Sequence, residues 1–125
     1  MAAIFAAKSG ASVTLLERTK DGGRKILISG GGRCNVLPAH LDESRYVTDS
    51  SVNTMRKMLR AWPLDEQVAF FEDELQIPLV IETESAKRFP VSNKARDLRD
   101  ALLAYARREG VAVQMDSLVT DFTPT

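Results

Sequence analysis

The stretch Gly23–Asn35 reads GRKILISGGGRCN and places three consecutive glycines between a basic pair and an Arg-Cys-Asn run. Glycine lacks a Cβ, so such a triplet can adopt positive φ angles and lie close to a bound molecule. Successive backbone N–H groups in a turn of this kind form a concave binding site for anions. The polar side chains of the stretch are Arg24, Lys25, Ser29, Arg33, Cys34 and Asn35. The pattern predicts either a loop that holds a flat, polar, anionic ligand or a glycine-rich surface turn with solvated charges.

The residues before this stretch predict a short helix followed by a strand. Met1–Ser9 is rich in alanine, which favours a helix, and Gly10 stands where a helix is commonly capped. Ser12–Leu16 is a short apolar run typical of a strand buried on both faces of a parallel sheet, and Glu17 follows it. In a dinucleotide-binding βαβ unit, an acid at this place accepts hydrogen bonds from ribose hydroxyls. We therefore expect either the second half of such a unit or a simple amphipathic helix and strand with a solvated Glu17.

Apolar periodicity in the rest of the chain is typical of an α/β protein. Helices are predicted at Ser51–Trp62, Leu64–Leu75 and Lys94–Arg108, the last capped by Ser92 or Asn93. Strands are predicted at Leu79–Glu82, Lys87–Phe89, Val111–Met115 and Leu118–Phe122. The apolar stripe of the first helix comprises Met55, Met58, Leu59 and Trp62. We expect this stripe and the phenylalanines of the second helix to belong to the core rather than to a cofactor site.

Composition and charge argue against several classes of partner. The 125 residues carry 17 basic and 17 acidic side chains, so no basic excess predicts a nucleic-acid partner. No apolar run approaches the roughly 20 residues that a membrane-spanning helix needs, and no secretory signal is evident. The single cysteine cannot form an internal disulfide, which favours a cytoplasmic location. One cysteine and one histidine make no ligand set for a metal ion.

The Gly23–Asn35 stretch, placed after a strand that ends in Glu, resembles the signature of the HI0933-like flavoproteins, also called the YhiN/BaiN family. A second stretch, Arg88–Leu103, reads RFPVSNKARDLRDALL and is similar to the R-x-FP-x-S-x-KA segment of that family and the helix after it. The two stretches lie in the expected order. These proteins are FAD-dependent oxidoreductases with the two-dinucleotide-binding-domain architecture of the glutathione-reductase-like superfamily. The resemblance therefore implies an α/β, partial Rossmann-like FAD/NAD(P)-binding domain, truncated at both ends and lacking the first strand with its glycine turn.

The resemblance also implies roles for individual residues. Glu17 would bind the adenosine ribose of FAD, and Val119 would contact the adenine through its backbone. The segment along the pyrophosphate, ribityl chain and flavin would consist of Arg24, Lys25, Ser29, Gly30, Gly31, Gly32, Arg33, Cys34 and Asn35. Arg88, Ser92 and Lys94 would either face the active site or serve as a strand end, a helix cap and a solvated first turn. FAD is the implied cofactor, NAD(P)H a candidate electron donor, and the small-molecule substrate is unidentified.

The whole chain, residues 1–125, is interpreted as one partial FAD/NAD(P)-binding domain. Its predicted parts are a helix and strand at 1–17, a flavin-contacting glycine-rich loop at 22–38, a helical segment at 51–75 and a strand-helix-strand segment at 79–122. The family usually has Thr-Asn where this chain has Leu37 and Pro38, so two hydrogen-bonding side chains are lost. Because the phosphate-binding turn of the first strand is also missing, the chain alone is expected to bind FAD weakly or not at all.

Other chemistries fit these residues less well. A P-loop needs Lys and then Ser or Thr directly after its last glycine, whereas Arg33 and Cys34 follow here. A redox-active disulfide beside a flavin would need a second cysteine, and His40 lies in a polar loop where an exposed, non-catalytic role is expected. The remaining alternative to part of an oxidoreductase is a non-catalytic fragment that assembles only with a partner, or a remnant that does not bind FAD by itself.

Overall fold

The computed structural model describes residues 1–123, so the last two residues of the predicted domain lie outside the described residues. The α-helices are α1 (Ala2–Lys8), α2 (Arg24–Ile28), α3 (Val52–Arg60), α4 (Leu64–Ala69) and α5 (Ala95–Arg108). The strands are β1 (Thr14–Leu16), β2 (Leu37–Pro38), β3 (Leu79–Glu82), β4 (Lys87–Pro90) and β5 (Ala112–Gln114). Single 3-10 turns lie at Ser29–Gly32 and Glu43–Arg45, and a π-helical turn lies at Phe70–Glu74.

The strands form two small sheets. β1 and β5 pair in parallel, with Leu15 opposite Val113, although most of the chain separates them. The other sheet is antiparallel with the order β2-β4-β3, and in it Leu37 and Ile81 both lie opposite Arg88. Parallel strands need a long crossover connection, commonly one that contains a helix, and α5 lies directly before β5. The predicted α/β class is therefore confirmed.

The hydrophobic core combines residues of α1, α5 and the π-helical turn. The ring of Phe70 lies 5.5 Å from the rings of Phe71 and Tyr105 and 5.8 Å from that of Trp62. Burying a large apolar side chain stabilises a protein by about 1.5–3 kcal/mol, and an aromatic pair adds about 0.5–1.5 kcal/mol. The predicted core role of the two phenylalanines and of the partly buried Trp62 is therefore confirmed.

Two of the predicted helices differ from the observed ones. In α3 only Met55 and Leu59 of the predicted stripe are half-buried, whereas Met58 is 66% exposed, because this helix lies on the surface. The predicted helix Leu64–Leu75 widens into the π-helical turn, where the Leu75 N–H donates to the Phe70 carbonyl at 3.1 Å. A regular helix turns each residue by about 100° from the last. The wider turn instead brings the adjacent Phe70 and Phe71 both into the core.

The predicted strand Leu118–Phe122 is wrong, because that segment is irregular in the structure. The chain leaves β5 through a turn in which Asp116 has a φ of 52°. There the Ser117 N–H donates to the Glu17 carbonyl at 2.8 Å, and no backbone bond among the described residues continues the ladder of β1 and β5 beyond it. Leu118, Val119 and Phe122 are 64%, 59% and 80% exposed. A strand needs a hydrogen-bonded neighbour, and this segment has none among the described residues.

Three local predictions are also corrected. β1 is not buried on both faces, since it belongs to a two-stranded sheet and Leu16 is 49% exposed. The predicted loop 22–38 contains the helix α2, whose Ile26 and Leu27 pack against the core. The N-cap of α5 is Lys94, without a side-chain cap, because the Ser92 hydroxyl accepts from the Lys94 N–H at 3.4 Å instead of from the helix.

Candidate cofactor site

Glu17 organises the turn that connects β1 to α2. Its Oε1 accepts hydrogen bonds from both the backbone N–H and the hydroxyl of Thr19, each at 2.8 Å. The Thr19 hydroxyl in turn accepts the N–H of Gly22 at 3.1 Å. The bonds from Thr19 lower the pKa of the Glu17 carboxyl group below its usual value, because they stabilise the charged form. Glu17 is therefore ionised at neutral pH, with Oε1 committed to the turn and Oε2 outside these bonds.

A cavity of about 190 Å³ lies beside this turn, between α1, β1 and α5. Its walls are mainly apolar, with Ile4, Leu15 and Leu102 among them, and its polar side chains are Glu17 and Arg99. Sites for drug-sized ligands have volumes of about 300–1,000 Å³. This cavity can therefore hold only part of a ligand as large as a dinucleotide.

Arg99 is the residue of this region that the sequence analysis missed. It is 6% exposed and lies on the same face of α5 as the buried Ala95 and Ala106. The only sequence signal is its position, one residue after Leu98 and three before Leu102 on the predicted apolar face. Long charged side chains are rarely buried, so an arginine here is normally read as solvated.

The predicted basic pair stands at the start of α2. Arg24 and Lys25 are both exposed, and none of the ion pairs among the described residues includes either. The opposite side of the helix carries Ile26 and Leu27, which pack against the core. The helix thus presents two free cations to solvent beside the Glu17 turn.

The glycine triplet forms a tight turn after α2. Gly30, Gly31 and Gly32 have φ angles of 56°, 66° and 88°, which L-residues with side chains rarely adopt. A Cβ on Gly30 would lie 2.8 Å from Cε1 of Phe89, so this glycine allows close packing on β4. A Cβ on Gly31 would meet no atom within 4 Å. One side of the turn is therefore packed against the protein, and the other side faces open space.

Arg33 joins the triplet to the antiparallel sheet. Its guanidinium lies over the Phe89 ring, 4.1 Å from the ring centroid, and its Nη1 lies 2.7 Å from Oε1 of Glu82. Glu82 also accepts a hydrogen bond from the Ser85 hydroxyl at 2.6 Å. The Arg33 bond, followed by that from Ser85, lowers the pKa of the Glu82 carboxyl group. The side chain of Arg33 is 40% exposed, so the stacked guanidinium remains accessible.

Cys34 turns its side chain into the core. The residue is 6% exposed and has a φ of 64°, and its N–H donates to the Ser29 carbonyl at 2.9 Å. Burial raises the pKa of the thiol, which disfavours the reactive thiolate at neutral pH. Asn35, the next residue, is exposed. At this point of the chain the buried cysteine closes the turn, and the polar group available to solvent is the amide of Asn35.

The predicted site residues thus fall into two groups, one at each end of α2. Glu17 lies with Gly22 and Gly23 at the cavity, whereas the residues from Ser29 to Asn35 lie against β3 and β4. Val119 stands in the irregular segment after β5. Of the remaining candidates, Arg88 has a buried Nε without a hydrogen-bond partner among the described atoms, whereas Ser92 and Lys94 are exposed. His40, for which an exposed position was expected, is exposed.

Comparison with known proteins identifies the family. The sequence model of the HI0933-like protein Rossmann domain matches residues 1–125. The chain belongs to the HI0933-like family. The resemblance deduced from the two motifs and the Rossmann-like character of the domain are therefore confirmed.

Two curated relatives share parts of this HI0933-like sequence. A 3-dehydro-bile acid delta(4,6)-reductase of Clostridium scindens is 30% identical over 115 residues, which are 90% of this chain and 27% of the relative. A ribosomal RNA dihydrouridine synthase of Escherichia coli is 40% identical over 46 residues, 37% of this chain and 12% of the relative. The chain therefore spans about a quarter or less of the length of these relatives.

The described residues contain neither a helix that could span a membrane nor a cluster that could hold a metal ion. Within residues 1–123, no helix combines the length and apolar character that crossing a bilayer requires. Over the same residues, no group of three or more His, Cys, Asp or Glu side chains is placed to hold a metal ion.

Proposed function

We propose that this chain is the FAD-binding portion of a flavin-dependent oxidoreductase. The adenosine ribose would lie at Glu17 with the adenine beside the backbone of Val119, the pyrophosphate at Arg24 and Lys25, and the flavin along the segment from Ser29 to Asn35. The observation that carries the proposal is the glycine triplet, whose positive-φ backbone is open on one side at Gly31 in a chain of the HI0933-like family.

The residues present fit the chemistry of this cofactor. A carboxylate suits ribose hydroxyls, and the Oε2 of Glu17 lies outside the bonds that hold the turn. Exposed cations suit a pyrophosphate, and Arg24 and Lys25 are both exposed in the first turn of α2. When bound, FAD supplies the hydride or electron-pair chemistry, whereas the protein binds it, orients it and sets its electrostatic surroundings.

The proposal for electron donor and substrate is less specific than that for the cofactor. We propose NAD(P)H as the electron donor and the cytoplasm as the location. The names of the two relatives refer to different molecules, a bile acid and ribosomal RNA. We propose an oxidoreductase that acts on a small molecule, and neither name determines that substrate for this chain.

The cofactor site can be tested with FAD and with two smaller molecules, ADP and FMN, that each resemble one part of it. Amide chemical shifts of the isotope-labelled chain are recorded during titration with ADP, FMN and FAD. We expect ADP to shift residues 17–25, FMN to shift residues 29–35, and FAD to shift both sets. Binding is expected to be weak, with a Kd of about 0.1–1 mM. Scattered shifts would contradict the proposal, and no response to FAD at millimolar concentration would favour the alternative, a fragment that does not bind FAD by itself.

A charge variant tests the pyrophosphate contact. The double variant Arg24→Gln, Lys25→Gln removes both cations of α2, and we expect FAD to bind about 10-fold more weakly, because charge-assisted hydrogen bonds of about 1.5–3 kcal/mol are lost and partly replaced by water. The matched control Lys57→Gln, Arg107→Gln removes two exposed cations elsewhere. Equal losses in both double variants would indicate nonspecific attraction rather than a site.

A further inference from the structure

Arg99 holds the backbone of the turn before α2. Its side chain is 7% exposed, and its Nη1 donates to the carbonyl oxygens of Asp21 and Gly22 at 2.9 and 3.2 Å. Its Nε bonds the carboxylate of Asp100, the next residue on α5. A buried guanidinium is costly unless it is hydrogen-bonded, and here two backbone carbonyls and one carboxylate accept bonds from it. The guanidinium therefore links α5 to residues that lie far away in the sequence.

The aliphatic part of Arg99 packs against Gly23. A Cβ on Gly23 would lie 2.5 Å from Cγ and 3.3 Å from Cδ of Arg99, so only glycine fits in the present arrangement. Gly23 is the N-cap of α2, and its carbonyl accepts the Leu27 N–H at 3.1 Å. The aliphatic carbons of Arg99 thus contact Gly23 at the start of α2, while its guanidinium binds the carbonyl oxygens of the two residues before Gly23.

We propose that Arg99 is a positioning residue that fixes where α2 begins and in which direction it runs. Through α2 it would place Arg24, Lys25 and the glycine triplet relative to Glu17. An apolar side chain could fill this position on the core face of α5 at a lower cost of desolvation. The guanidinium instead donates from Nη1 to two carbonyls and from Nε to Asp100 at the same time, which the single nitrogen of lysine cannot do. The consequence for the cofactor rests on the proposed function, but the effect on α2 does not.

Hydrogen exchange tests the effect on α2 without any ligand. Amide exchange rates of the chain are compared for Arg99→Met, Arg99→Lys and the control Arg107→Met, which alters an exposed arginine of the same helix. We expect exchange at residues 22–28 to be about 10-fold faster in Arg99→Met, because two carbonyls lose their donor. Arg99→Lys restores part of the protection and Arg107→Met changes nothing. Unchanged exchange at 22–28, or equal acceleration at Phe70–Glu74, would overturn the proposal.

A double variant tests the contact with Gly23. Gly23→Ala is expected to accelerate exchange at 22–28, because its Cβ would collide with Arg99. In an Arg99→Ala background the collision is removed, so the additional acceleration caused by Gly23→Ala should be several-fold smaller. Identical effects of Gly23→Ala in both backgrounds would show that the two residues act independently, against the proposal.

A ligand titration separates this inference from the proposed function. With FAD as the probe, we expect Arg99→Met to weaken binding about 5- to 10-fold, Arg99→Lys to recover part of it, and Arg107→Met to bind like the parent chain. If the parent chain gives no FAD response, the alternative of a fragment that does not bind FAD by itself is favoured, and the exchange data alone decide the role of Arg99. If FAD binds equally to Arg99→Met and the parent chain, the proposed link from Arg99 to the cofactor is wrong. Should Arg99→Met fail to fold, Arg99→Lys carries both measurements.

Discussion

The two ends of α2 are both held by a glycine that packs against a large side chain, but the arginine nearby is used differently at each end. At the start of the helix, Gly23 lies against Arg99, whose guanidinium is buried and bound to backbone carbonyls. At its end, Gly30 lies against Phe89, and Arg33 stacks on that ring with 40% of its side chain exposed. The buried arginine uses Nη1 and Nε for bonds within the protein, whereas the stacked arginine remains partly open to solvent.

The largest effect is expected when a Cβ is introduced at Gly30, which packs against Phe89 after the end of α2. Gly30→Ala combines a positive φ with a Cβ 2.8 Å from the Phe89 ring, and we expect it to lower the free energy of unfolding by about 2–3 kcal/mol. Gly31→Ala has a similar φ but open space around the Cβ, so it should cost only about 1 kcal/mol. Urea unfolding measures both. Equal losses would mean that backbone strain alone requires glycine at position 30, and not contact of the Cβ with Phe89 and with the Asn35 backbone nitrogen, 3.0 Å away.

The second largest effect is expected on the reactivity of the single cysteine, which reports local opening near Phe89 but not near Arg99. Cys34 is buried at the Phe89 end, and burial raises its pKa, so alkylation by iodoacetamide requires local opening of that end. We expect Arg33→Gln to accelerate alkylation about 3- to 5-fold, the equivalent of about 0.7–1 kcal/mol. Arg99→Met should leave the alkylation rate unchanged. If Arg99→Met accelerates alkylation as much as Arg33→Gln does, the two ends open together and the comparison fails.

A smaller effect is expected on overall stability when only the shape of the stacked cation changes. Arg33→Lys keeps the charge but loses the planar group over Phe89, and we expect a loss of about 0.5–1 kcal/mol. Thermal unfolding measures the difference, with Lys20→Arg, an exposed exchange in the opposite sense, as the control. No loss in Arg33→Lys would show that charge alone, rather than stacking, matters at this end.

The smallest effect is expected on the decline in the free energy of unfolding at acidic pH. The pKa values of Glu17 and Glu82 are both lowered in the folded chain, by bonds from Thr19 and from Arg33 respectively. Each group therefore contributes stability that is fully present above its ordinary pKa of 4.5 and is lost as the pH falls through the lower, folded value. Glu17→Gln and Glu82→Gln should both flatten the decline in stability below pH 4.5.

Added salt should change the contributions of these two carboxyl groups to stability by different amounts. The contribution of Glu82 depends on a charged and partly exposed partner, so added NaCl should weaken it. The contribution of Glu17 depends first on bonds from Thr19, which carries no charge, so NaCl should change it little. Urea unfolding at two NaCl concentrations measures the difference in the free energy of unfolding between the parent chain and each variant. If both differences depend equally on NaCl, neighbouring charges control the contribution of Glu17 as well.

Local patterns predicted much of this fold. The helix α5 and the strands β3 and β4 follow from apolar periodicity and from glycine and proline at their ends, which are properties of neighbouring residues. The segment 118–122 has an equally good strand pattern, but pairing depends on what lies beside it, and the turn at Asp116 leads it away from β5. Periodicity predicts that a segment could form a strand and not that it finds a partner.

The candidate site shows the same limit. The glycine triplet, Glu17 and the basic pair were found because glycine and charge are visible in the sequence, and their ligand roles remain predictions. The contact of Gly30 with Phe89 joins two stretches that the sequence shows only as separate motifs. Arg99 was missed because its burial results from packing against Gly23, and no local pattern distinguishes a buried arginine from a solvated one.

The short length of α2 constrains how this chain can vary. The helix has five residues and joins two fixed contacts, Gly23 with Arg99 and Gly30 with Phe89. Inserting or deleting one residue would rotate everything after it by about 100° and shift it by about 1.5 Å. The triplet would then miss the Phe89 ring, although every residue of both motifs was still present. Relatives that keep both contacts should therefore keep the number of residues between these two glycines.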